Sequence, residues 1–219
     1  AFPHGAFQRG RVKERVFRPD WTEEERVAYT ARAAAVLADL LPAGVDGTVS
    51  TSPGAFRPER NGPEARRRIA RNLARAAIEA ARLRERTGRQ IRICVEPEPF
   101  GTIENAAEAA AFFTGPLPHE GAEEAARAEG APAARVREAV AAHLGVCLDT
   151  CPHLAVHEDP REALALLDRA GVAVGKIQVS NAPRLARGAA DREGMAALRE
   201  FAEDRFLHQV AARGEDGEL

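Results

Sequence analysis

The chain has almost no lysine. Of its 31 basic residues only Lys13 and Lys176 are lysine. With the heavy use of alanine, that arginine excess reads as coding bias and not as a nucleic-acid footprint, and a formal net charge of −2 points to no polyanionic partner. Sulfur is scarce as well. Three cysteines are too few and too odd for a disulfide framework, which favours a reducing compartment. No apolar run approaches the roughly 18 residues that span a membrane, and the first residues do not read as a signal peptide. The expectation is a soluble cytoplasmic protein with no nucleic-acid partner and no direct membrane insertion. No G-x-G-x-x-G follows any strand-like stretch, which counts against an open dinucleotide-binding sheet.

What is present centres on Leu144 to Pro160, LGVCLDTCPHLAVHEDP. Leu144, Val146 and Leu148 make a buried strand, and period-two alternation puts Cys147 and Asp149 on its other face. Pro152, which lacks an N–H, should end the ladder, so Asp149, Cys151 and His153 gather at the carboxyl end. Asp159 is placed to cap a following helix, Pro160 to begin it and Gly171 to end it.

The same plan repeats. Thr22 with Glu25 forms a capping box for a helix running to about Leu41. A short strand then carries Thr48, Ser50 and Ser52 on one face. The next helix opens at Pro63, with Ile69, Leu73, Ala76, Ala80 and Leu83 as its apolar stripe and Arg67, Arg71 and Arg75 on a solvated side. In IRICVEPEPF, Ile91, Ile93 and Val95 point one way and Arg92, Cys94, Glu96 and Glu98 the other. Each glutamate precedes a proline and is held extended, so both carboxylates leave the strand end together. A third helix covers about Thr102 to Phe113, and residues 115–143 read as an exposed insertion. In KIQVS, Lys176, Gln178 and Ser180 share a polar face. RFLHQV, with His208, reads as a fifth strand.

Strands alternating with helices predict a parallel sheet. Polar groups collecting at strand carboxyl ends predict a (β/α)8 TIM barrel, in which function is assembled there. The chain supplies about five βα units, so the expectation is a single partial barrel over residues 1–219, with early and late strands missing.

The blocks FPHGAF, VKERVFRPDW, STSPG, EPEP, CLDTC with a histidine, KIQVS and LHQV, in that order, resemble EboE-type metabolite traffic proteins. These belong to the xylose isomerase-like TIM-barrel superfamily. Pro152 separates Cys151 from His153, where adjacency is expected. The resemblance implies a possible divalent metal, with magnesium, manganese and zinc not distinguished, and the ligand candidates Glu96, Asp149, Gln178 and His208. Catalytic candidates are Glu96, Asp149 and Lys176; substrate-binding candidates are Ser50, Glu98, His153, Gln178, Ser180 and His4.

Bland alternatives stand beside these. Asp149 can serve as a turn cap, Cys94 and Cys147 as small core residues, and Lys176 as half of an internal ion pair. Two function classes follow. One is a metal-assisted isomerase, epimerase or lyase on a sugar-like or phosphorylated metabolite. The other is a non-catalytic carrier that hands its ligand to an export partner.

Overall fold

A computed structural model describes residues 14–185 and 188–200, with residues 212 and 214. The expected fifth strand around Phe206, and the candidates His4 and His208, lie outside them. Four parallel strands form one sheet in sequence order: β1 (Gly47–Thr51), β2 (Ile91–Val95), β3 (Leu144–Asp149) and β4 (Val174–Gln178). The register sets Ser50 beside Cys94, Cys94 beside Gly145, Cys147 beside Lys176 and Asp149 beside Gln178. The polar residues of all four strands therefore share one face.

That face is the inside of a curl. Lys176 of β4 donates to the Ser50 hydroxyl of β1 at 2.8 Å, past both intervening strands. In a flat sheet those strands would lie about 14 Å apart, three strand spacings, so the contact requires strong curvature. The result is a curled half-barrel. Its outer face carries Ile91, Ile93, Val95, Leu144, Val146 and Leu148, all buried beneath helices. On β4 the apolar face is less covered, with Ile177 55% and the following Val179 91% exposed.

The helices cover the sheet as parallel strands require. The described α-helices are α1 (Glu24–Leu40), α2 (Pro63–Thr87), α3 (Ala106–Thr114), α4 (Ala122–Glu129), α5 (Ala133–His143), α6 (Thr150–Ala155), α7 (Pro160–Arg169) and α8 (Arg192–Arg199), the last of which buries no residue. The α2 stripe is buried as its spacing predicts, and each Leu or Ile so buried contributes about 1.5–3 kcal/mol. Its arginines lie on a solvated side as expected, with Arg67 exposed and Arg71 and Arg75 half-buried, and each makes an ion pair there. Arg71 pairs with Glu24 at 3.2 Å, and Arg75 joins Glu24 and Glu129.

Three local expectations are corrected. The capping box of α1 does not form: Asp20, 1% exposed, accepts from both the backbone N–H of Thr22 (2.8 Å) and its hydroxyl (2.6 Å). A nearer carboxylate has captured the cap, and α1 begins at Glu24 with no side-chain cap.

The segment 115–143 is not an exposed insertion. Leu117, Gly121, Ala122 and Ala125 are buried with α2 in the main core. A Cβ on Gly121 would stand 2.8 Å from the Ala70 backbone, so only glycine lets these segments approach. Small residues, read as a sign of exposure, here permit close packing.

The third correction is at Pro152, which sits in the first turn of α6 and does not simply end β3. No helical N–H is required of it there.

Candidate functional site

β2 delivers two carboxylates to the carboxyl mouth of the curl. The backbone N–H of Glu96 donates to Thr51 at 2.9 Å, and that of Glu98 donates to Ile103 at 3.2 Å. Pro97 and Pro99 keep both glutamates extended. Burial, then the Asp149 charge, raises the pKa of Glu96, and the nearby Cys147 thiol, Lys176 ammonium and Gln178 amide oppose the rise. Glu98 is pushed up to about 7 by burial and then by the charges of Glu96 and Asp149. No hydrogen-bond donor among the described residues offsets that rise.

β3 delivers Asp149, and its two oxygens are taken. Oδ1 accepts from the Cys151 N–H at 3.0 Å and from the Ser180 hydroxyl; Oδ2 accepts from the Gln178 amide at 2.6 Å. Thr150 reinforces the join. Its hydroxyl donates to the Ser180 carbonyl at 2.5 Å and accepts from the Ser180 N–H at 2.9 Å. Asp149 therefore caps α6 and clamps the end of β4 to β3.

β4 delivers Lys176 and Gln178. The ammonium meets Ser50, as above, and its charge also reaches Glu96, Cys94 and Cys147. The interior below it is filled. A Cβ on Gly175 would lie 2.6 Å from Arg92 Cδ and 2.7 Å from Cys94 Sγ, so glycine leaves room for the arginine stem. The Arg92 guanidinium is committed to the carbonyls of Ala141 (3.2 Å) and Leu144 (2.6 Å). Cys94 and Cys147 are buried, with thiols pushed up to about 11 and about 12, chiefly by burial. They are core residues, not nucleophiles.

The structure thus brings together Ser50, Glu96, Glu98, Asp149, Lys176, Gln178 and Ser180. Among the described residues no side-chain hydrogen bond joins His153 to them. That ring is 0% exposed, and its Nδ1 contacts Glu158, whose carboxylate also accepts from the Ala106 N–H at the start of α3 at 3.2 Å. Its Nε2 has no hydrogen-bond partner among the described residues. Glu158 was not singled out from sequence, although its place just before the Asp159 cap of α7 was a usable signal. The α6 cap at Asp149 was legible too, since Asp followed two residues later by the N–H it accepts is an ordinary capping arrangement.

Among the described residues no three His, Cys, Asp or Glu groups stand close enough to hold a metal ion. Of the expected ligands, Asp149 is hydrogen-bonded through both oxygens, Gln178 turns its amide N–H₂ to Asp149, and His208 lies outside the described residues. No chemical step is therefore derived through an ion. None of the described helices is long and apolar enough to cross a membrane. No family model, no curated protein and no solved structure matches this chain.

Proposed function

We propose that the inner face of this half-barrel is part of a small-metabolite site in a TIM-type barrel, where Glu98 moves a proton on a sugar-like metabolite in an isomerase or epimerase reaction. One observation carries the reading. Glu98 is a carboxyl beside two others, without a hydrogen-bond donor among the described residues, and with a pKa of about 7. A group so poised takes and returns a proton at similar cost near neutral pH. Burial holds Glu98 in that state, and the charges of Glu96 and Asp149 beside it add to the effect. The resemblance to EboE-type proteins supports the same reading, and a divalent ion completed by residues such as His208 belongs to it.

The test is solvent deuterium incorporation at carbon, with a panel of aldoses, ketoses and their phosphates. We expect exchange whose rate follows a group of apparent pKa near 7, with that dependence lost in Glu98→Gln. Binding without exchange would instead support a carrier that passes its ligand to an export partner. The engagement of Asp149 in structure favours that second reading.

A further inference from the structure

We propose that Phe100 is a stacking platform on the rim of the half-barrel, and that it takes the closed ring of a sugar, the C–H face of the ring lying on the aromatic face. This rests on the reading of the carboxyl mouth as a small-metabolite site, and not on the protonation of any carboxyl there.

The rim begins where β2 ends, at Val95. Glu98, Pro99, Phe100 and Gly101 form a turn, closed by the Gly101 N–H donating to the Glu98 carbonyl at 2.9 Å. Proline stands second in it, and Phe100, third, has a φ of +64°. That is the pattern of a type II turn, whose third position ordinarily holds glycine or asparagine because other side chains are strained at positive φ. Glycine is not missing from the segment. It stands one place later, at Gly101, where a Cβ would collide with Pro53. The chain therefore uses its glycine for a close approach, and the strained position carries an aromatic ring.

Such strain persists only where the surroundings hold it. The Phe100 N–H donates to Glu104 Oε1 at 2.7 Å, and its carbonyl accepts from the Arg57 N–H at 2.7 Å. Its ring is backed by that of Phe56, with centroids 6.4 Å apart, and Phe56 in turn by Phe17 at 5.5 Å. Phe17 is buried, Phe56 is half-buried and Phe100 is 45% exposed. The three rings thus carry an aromatic surface from the core to the rim. Core packing does not account for the last of them, because an exposed ring forgoes much of the burial that an aromatic side chain can make. The other described non-glycine residue at positive φ is His157, at +57° in the loop between α6 and α7. Both follow neighbouring strands at the carboxyl end of the sheet, and strained residues of this kind gather at ligand clamps.

The two surfaces together select the ligand. From the rim inward it meets first an aromatic ring, then the hydroxyls of Ser50 and Ser180 and the ammonium of Lys176 on the polar inner face. A molecule suited to both has an apolar face and polar groups around its edge. A closed sugar ring has that form, with axial C–H bonds on its faces and hydroxyls at its rim. An open-chain polyol has the hydroxyls without the face.

The test titrates the full-length chain with methyl β-glucopyranoside, whose ring is locked shut, and with mannitol, which has no ring. The glucoside should bind, its axial protons moving upfield in NMR under the ring current of Phe100, and mannitol should bind about fivefold more weakly. Phe100→Gly should weaken glucoside binding about fivefold to tenfold and abolish the upfield shift. Its thermal midpoint should hold or rise, because glycine accepts the backbone that strains phenylalanine. Phe100→Tyr, which keeps the ring, should keep both affinity and shift. Should Phe100→Gly fail to fold, Phe100→Asn, which also tolerates a left-handed backbone, decides by the same losses.

Equal glucoside binding by wild type and Phe100→Gly overturns the platform and leaves the mouth its role as a site. A thermal midpoint that drops by several degrees in Phe100→Gly overturns it too, by assigning the ring to the core. Mannitol bound as tightly as the glucoside overturns the closed ring. If the wild type binds neither compound, the reading of the mouth as a sugar site falls, and the platform with it.

Discussion

Asp149 and Glu98 stand near the ends of neighbouring strands, and they are carboxylates in opposite conditions. Asp149 accepts three hydrogen bonds, from Cys151, Ser180 and Gln178. Glu98 accepts none among the described residues, and burial pushes it to about 7. Donors stabilise a carboxylate as an anion, whereas burial without donors makes the anion costly. The satisfied group belongs to the architecture, and the unsatisfied one is available for chemistry. A strand-end position alone does not distinguish the two.

The comparison is broken most severely at Asp149. Asp149→Ala leaves the Ser180 hydroxyl without its acceptor and takes one of two acceptors from the Gln178 amide and the Cys151 N–H, which keep Glu96 and the Ser180 hydroxyl oxygen, and should cost about 3 kcal/mol in urea unfolding. A loss under about 1 kcal/mol would mean that the clamp is not structural.

Glu98 should behave in the opposite sense. Its folded pKa lies above its ordinary value of 4.5, so the native state binds more protons than the unfolded state between about 4.5 and about 7. Stability should therefore be highest below that window and decline as pH rises through it. Glu98→Gln should remove this slope and gain about 2 kcal/mol at pH 8, less than the full shift because the side chain is partly solvated. Unfolding curves across pH check it, and a slope that survives the substitution would assign the proton to another group.

A smaller effect sharpens the Asp149 side. Ser180→Ala removes one of the three bonds and should cost about 1 kcal/mol, read as a shift in thermal midpoint. The smallest effect is a count. Under native conditions a thiol reagent should modify Cys151 and spare Cys94 and Cys147, which are buried and carry raised pKa values. Rapid modification of all three would show that the curl opens readily.

Strand positions, their parallel order and the polar inner face were legible because period two is imposed on every strand by its own backbone. EPEP was legible for the same kind of reason, since each proline restricts the residue before it. The burial of 115–143 was not legible: alanine and glycine look alike in a loop and in a tight helix contact until the surface of α2 is known. The capping box failed because Asp20 lies beside Thr22 in sequence, and nothing local shows that Asp20 is buried and takes the hydroxyl.

By itself, then, the sequence determined which residues face inward on each strand, where α2 begins, and that carboxylates and a rare lysine would share the inner face of the sheet. Tertiary structure alone decided what each of those groups does. The curl set Lys176 against Ser50, 126 residues away in the chain. The β3–β4 pairing supplied Asp149 with donors, and nothing in the described residues supplied Glu98. Alternation is a property of one strand, but the charge state and hydrogen bonding of a side chain depend on neighbours from other strands, which only packing brings within reach.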